Sequence, residues 1–264
     1  MSRRLTNRSE FAHGAFLLAA ALAVAMPETA LAAPALDMLV AAYPQKISGL
    51  AENAVVFRDG TRQEIGAPGP EKPFAERLAH ATIADMFRLA YPMGAPLLPP
   101  AEDFDPGRFR NRALFDRLYG DCRKGEVEKT LVSVQWLAQT WGGHVKFAPE
   151  AANALRAVST EIDALPAKIK RAAYPTAGTY ACRGVADLGQ PSMHAYGAAI
   201  DLNLKYSSYW LWDTHGAAKP VWRNRMPREI VDAFERHGFI WGGRWYHYDT
   251  MHFEYRPELL APAR

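Results

Sequence analysis

The chain has 264 residues and a formal net charge of +3 at pH 7, from 31 basic and 28 acidic side chains. Its basic residues are interspersed and form no block of the kind that grips a polyanion, which argues against a nucleic-acid partner. Hydrophobic residues make up 49%, enough for a sizeable core, and the length beyond a short leader fits one large domain.

Residues 1–32 read as a secretory signal peptide. Arg3, Arg4 and Arg8 give it a positive start, residues 15–26 an apolar run too short to span a bilayer, and Ala30-Leu31-Ala32 a small-residue cleavage pattern. Ala33 is then the expected start of the mature chain. No later run is long and apolar enough for a membrane span, so an exported, periplasmic or extracellular product is expected. In such an oxidising compartment Cys122 and Cys182 are expected to pair as a disulfide, with two reduced, buried cysteines as the alternative.

Along residues 33–264, expected as one domain, the first part (33–110) is the least diagnostic. Ala54-Val55-Val56-Phe57 followed by Arg58-Asp59-Gly60 predicts a strand running into a turn. Proline- and glycine-rich patches at 67–73 and 91–106 mark loops, with a helix expected between them over 74–89. Asp105-Pro106-Gly107 is a turn, and 112–119 a short amphipathic helix. Residues 127–141 alternate and fit either strand or helix, ending in Gly142-Gly143, and Val145-Lys146-Phe147 reads as a strand. Ala151, Ala154, Leu155, Val158, Ile162 and Leu165 recur at helical spacing, so 149–165 is a helix stopped by Pro166. Residues 226–238 form another, with Pro227 in its first turn and Gly238 at its end. Residues 179–183, 198–203 and 252–255 are the strands expected to carry the site. The fold class is α+β: a small antiparallel sheet with flanking helices.

Two of these segments carry chemistry. One holds Ser192-Met193-His194 and then, past Gly197 and the apolar Ala198-Ala199-Ile200, Asp201. A charged aspartate after a buried run is costly unless something pairs with it, and a metal ion is one such partner. The other reads Asp249-Thr250-Met251-His252-Phe253-Glu254-Tyr255. Alternation puts His252 and Glu254 on one face of a strand and Met251, Phe253 and Tyr255 on the other. His194, Asp201 and His252 would make a three-ligand zinc site with an open position, leaving Asp249 to handle the proton of an attacking water. The competing reading makes both histidines ordinary hydrogen-bonded core groups.

The pattern Ser192-x-His194, Gly197, Asp201, Asp249-x-x-His252 resembles the zinc D-alanyl-D-alanine carboxypeptidase and L-alanyl-D-glutamate endopeptidase family. That family includes vancomycin-resistance dipeptidases and phage endolysins, and its fold is shared with the hedgehog signalling domain. Similarity runs through most of the mature chain, including residues 239–245 just before the second motif. The resemblance implies zinc on His194, Asp201 and His252, with Asp249 as general base, and peptidoglycan stem peptides as substrate. Arg183 resembles the family arginine that lies upstream of Ser-x-His and stabilises the oxyanion, a charge that develops mainly in the transition state. Ser192 and Tyr196 are candidate substrate-binding or ligand-orienting residues. A non-catalytic zinc-bearing cell-wall binding module of the same fold is the alternative.

His247 reads as a residue behind or at the rim of the site, His237 as a helix-end and His215 as a loop histidine. The aromatic cluster over 206–222 reads as a core cover or as one wall of a substrate groove. Arg223, Arg225 and Arg244 are candidate clamps for a substrate carboxylate. Whether the bond cut is terminal or internal, and the oligomeric state, are left open by the sequence.

Overall fold

The computed structural model describes residues 28–67, 73–184, 190–214 and 219–260. Residues 1–27 of the expected signal peptide, and His215, lie outside the described residues. Helix α1 (Glu28–Ala42) runs through the expected cleavage boundary and contains Pro34. Proline is disfavoured inside a helix but suits its first turn. A helix beginning at Ala33 would place Pro34 in that first turn.

Leu39 on α1 is fully buried beneath a three-stranded antiparallel sheet in the order β1 (Ile47–Ala51), β2 (Ala54–Phe57), β3 (Arg62–Glu64). The expected helix over 74–89 is shorter than the pattern implied: α2 covers only Phe74–Ala79. The Thr82 backbone N–H donates to Asp85 and the Asp85 N–H to the Thr82 hydroxyl, so a new 3-10 turn (Ala84–Phe87) starts where the helix was expected to continue. Reciprocal side-chain caps of this sort compete with helix propagation.

Helix α3 (Arg112–Tyr119) has the expected bounds, with Asn111 as its N-cap accepting from Leu114. Residues 127–141 contain a strand, β4 (Val132–Trp136), hairpinned to β5 (Gly143–Phe147). Helix α4 (Pro149–Asp163) packs on that hairpin, with Leu155, Val158 and Ile162 fully buried, and a short α5 (Ala167–Lys170) follows.

The sheet that matters for function has the order β6 (Ala199–Asp201), β8 (His252–Tyr255), β7 (Phe239–Trp241), all antiparallel. Between β6 and β7 the chain forms α6 (Trp210–Thr214) and α7 (Arg228–Arg236). Ile200, Phe253 and Trp241 face the larger core cluster, shared with α4 and α7, whereas Ala199 joins the cluster beneath α1 and α3. The sheet is thus buried on both sides, except at the end where Asp201 pairs with His252. The expected strand over 179–183 is not one. The segment is irregular, with the Arg183 N–H bonded back to the Ala181 carbonyl, and it is the preceding Gly178 that bridges to Asp201 of β6. No helix among the described residues is long and apolar enough to cross a membrane.

Candidate functional site

His194 sits in a 3-10 turn (Met193–Tyr196) that Ser192 caps, its hydroxyl accepting from the His194 backbone N–H at 3.3 Å. The turn ends on Gly197 at φ +65°, where a Cβ would lie 2.5 Å from Leu131. Only glycine fits both the left-handed backbone and the contact. The chain then enters β6, whose last residue is Asp201, directly opposite His252 on β8. Two motifs 58 residues apart are thereby held by a turn and a strand pair.

The three side chains converge. His194 Nε2 lies 3.1 Å from His252 Nδ1, and each of those nitrogens lies 3.1 Å from Asp201 Oδ1. The far nitrogens settle the tautomers. His194 Nδ1 is 2.6 Å from the Thr179 carbonyl, which can only accept, so Nδ1 carries the proton. His252 Nε2 is 2.8 Å from Glu254 and donates to that carboxylate. With neutral imidazoles, three lone-pair atoms therefore face one another with no hydrogen between them. Such a cluster requires a cation at its centre, either a proton or a metal ion. A tetrahedral ion bonded at about 2.0–2.1 Å holds its ligands roughly 3.3 Å apart, close to the spacing seen. His194, Asp201 and His252 together could hold a metal ion.

The electrostatics agree. Burial works against a charged His252, but its hydrogen bonds to Asp201 and Glu254 outweigh that and raise its pKa to about 10. Burial likewise opposes ionisation of Asp201, yet the charge and hydrogen bond of His194, then those of His252, hold its carboxyl far below the usual range. Glu254 is also depressed: burial opposes its charge, and Arg110 first, then His252 and Arg256, overcome it. Arg110 and Arg256, both buried, pair with the two Glu254 oxygens. Neither arginine carries a local sequence signal. Their pairing with Glu254 fixes the carboxylate that in turn fixes the His252 ring, the outer arrangement that gives a metal ligand its orientation.

Asp249 stands beside this cluster without a ligand's partners. Its Oδ1 is buried and has no hydrogen-bond partner among the described residues. Burial first, then the charge of Asp201, push its pKa up to about 7, against the pull of His252, Arg108 and Arg183. Gly242 lets the Asp249 segment approach, because a Cβ there would lie 2.5 Å from the Asp249 carbonyl oxygen. The Asp249 N–H donates to the Gly242 carbonyl at 3.0 Å.

His194, Asp201, His252, Asp249, Arg183 and Ser192 all line one cleft of about 360 Å³. Its lining includes four aromatic side chains (Tyr209, Trp210, Trp212, Trp245) and three arginines (Arg108, Arg110, Arg183), with Arg108 and Arg110 lying over the Trp245 ring at 5.8 and 5.9 Å. Arg183 is exposed, next to Cys182, which is bonded to Cys122 with Cα atoms 5.6 Å apart. The disulfide ties the Arg183 segment to the chain just after α3.

Residues 187–255 match the family described as D-alanyl-D-alanine carboxypeptidase. The matched stretch contains both motifs, from Ser192 to Glu254, but neither Arg183 nor anything earlier. The match is narrower than the similarity read across most of the mature chain. No curated protein and no solved structure matches the chain.

The remaining expected residues fall elsewhere. Tyr196, inside the matched stretch, does not line the cleft. Its hydroxyl donates to Asp116 at 2.8 Å and its ring packs against Phe115 and Tyr119. His247 lies at the rim with Nδ1 2.7 Å from Asp105, and His237 caps α7 beside Glu161. None of the three arginines expected as carboxylate clamps lines the cleft: Arg244 is buried against Glu235, and Arg225 donates to the Ser207 carbonyl. Arg108 and Arg110 stand there instead, just past the turn Asp105-Pro106-Gly107 and far from either motif in sequence.

Proposed function

We propose that the chain is a zinc-dependent peptidase of the peptidoglycan stem peptide. The observation that supports this most directly is the triangle of lone pairs on His194 Nε2, His252 Nδ1 and Asp201 Oδ1, with the unpartnered Asp249 Oδ1 beside it. Two imidazoles and one carboxylate are the donor set of a catalytic zinc with an open position. Zinc held there supplies a water of lowered pKa and polarises the scissile carbonyl.

The chain's own groups do the rest. Asp249 Oδ1 takes the proton of the attacking water and returns it to the leaving amine. Its depressed solvation suits both directions, since a carboxyl near pKa 7 gives up a proton as readily as it accepts one. Arg183, which lines the cleft, would stabilise the oxygen on which negative charge develops, and Arg108, on the same lining, would add to the positive field. Thr179 and Glu254 hold the imidazoles by their far nitrogens, so the near nitrogens stay bare. A purely structural metal site has no use for a desolvated carboxylate with an unused oxygen, which favours catalysis over the binding-module reading.

Both exopeptidase and endopeptidase action fit this chemistry. Incubation of the metal-loaded protein with defined muropeptides, with products identified by mass, tests the proposal. Release of an amino acid or peptide is expected, and intact muropeptides after exhaustive digestion would refute it. Export follows as part of the same reading, and the amino terminus of the secreted protein is expected to be Ala33.

A further inference from the structure

The aromatic wall of the cleft reaches open solvent at Trp212, which lines the cleft yet is 51% exposed; Leu204, also on the cleft lining, is 49% exposed. Large apolar side chains left open at the mouth of a site mark a contact surface. Trp212 is also held in place. Tyr209 meets it edge to face at 5.4 Å, and Trp210 in turn contacts the His247 ring at 4.8 Å.

This wall is fastened to the catalytic segment through the backbone. Tyr209 forms a bridge with Asp249, and the Trp210 N–H donates to the Tyr248 carbonyl at 2.9 Å. The Tyr248 hydroxyl donates to Asp213, pinning the far end of α6. A group stacked on Trp212 is therefore registered against Asp249. Arg108, Arg110 and Arg183 line the same cleft. The cleft thus suits a ligand that carries both anionic groups and a flat, weakly polar C–H face. A pyranose ring bearing a carboxylated peptide has both. Its ring hydrogens carry partial positive charge, and the face of an indole is negative.

We infer that Trp212, supported by Tyr209, is a subsite for a sugar ring of the glycan strand, so that the enzyme takes glycan-linked peptides in preference to free ones. The inference rests on the peptidase reading above for the identity of the polymer. Its test can fail independently of that reading.

Peptide-free glycan strands are the first probe, with binding to the full chain followed by intrinsic tryptophan fluorescence. The wild-type protein is expected to bind, and Trp212→Ala to bind roughly fivefold to tenfold more weakly, the usual scale of one lost aromatic contact. Trp212→Phe, which keeps a ring, should recover part of the affinity. In parallel, Trp212→Ala should raise KM for glycan-linked peptide by a similar factor and leave the free peptide unchanged. An equal loss on both substrates would make Trp212 a peptide contact and overturn the inference. So would wild-type protein that ignores glycan, or an exposed ring whose replacement changes only self-association. Trp212-dependent glycan binding by a protein that cleaves neither substrate would leave the subsite standing and remove the peptidase.

Discussion

His252 Nε2 lies 2.8 Å from Glu254 Oε2, two residues further along the same strand and on the same face. That single contact decides which nitrogen of His252 points into the cluster. The carboxylate is in turn clamped by Arg110, brought from 144 residues away, and by Arg256. The orientation of His252 is therefore set by a buried ion network.

Weakening that network should loosen the metal. Glu254→Gln keeps the size of the side chain but removes the charge that orients His252 and balances two buried arginines. Loss of such an outer partner costs about 10–100-fold in metal affinity. Competition with a chromogenic chelator measures it, and wild-type affinity in the variant would show that Glu254 does not orient the ligand.

Asp249 should separate binding from chemistry. Asp249→Asn is expected to retain near-stoichiometric zinc while kcat falls by about 10²–10⁴-fold, the usual contribution of a positioned acid–base group. Lost zinc together with lost activity would instead make Asp249 a ligand. Metal content and rate belong on the same purified sample.

The metal-free protein should become less stable as pH rises. His252 has a folded-state pKa of about 10 against an ordinary 6.5, so its stabilising proton is fully held below 6.5 and lost on the way to 10. Asp249, raised to about 7 from 3.8, acts in the same direction between those values. Asp201 and Glu254, both depressed, act oppositely, but only at acidic pH, where they would be protonated. The melting temperature of the metal-free chain should therefore fall from about pH 6 to about pH 9. Saturating zinc, which displaces the His252 proton, should flatten that slope. A metal-free chain that gains stability over this range would contradict the assigned protonation.

The disulfide closes a loop of 60 residues, and removing it should cost about 4 kcal/mol in the chain-entropy model. Cys122→Ser with Cys182→Ser should unfold at lower denaturant concentration. It should also lose activity beyond what stability explains, because the Arg183 segment loses its tether. Unfolding midpoints and the kcat of the folded fraction test the two effects separately.

Local pattern carried a good part of this protein. The ligand types, the alternation that puts His252 and Glu254 on one strand face, and helices α3, α4 and α7 are properties of a few successive side chains and the period of the backbone. They are legible because strand and helix repeats are geometric constants. The glycine at 197 and the pair of cysteines were readable for the same reason: each is a local demand, of backbone angle or of redox chemistry. What lay outside the reach of pattern was the outcome of competing local hydrogen bonds and the choices made by distant partners. The 74–89 run has helical composition, but the Thr82–Asp85 cap offered its backbone a better local alternative. Tyr196 closes the turn that carries His194, yet Asp116 on α3 draws its hydroxyl away from the cleft. Arg108 and Arg110 look like two more basic residues in a loop until the fold sets them against Asp105 and Glu254. A buried charge goes where its counter-charge is, and only the folded chain determines where that lies.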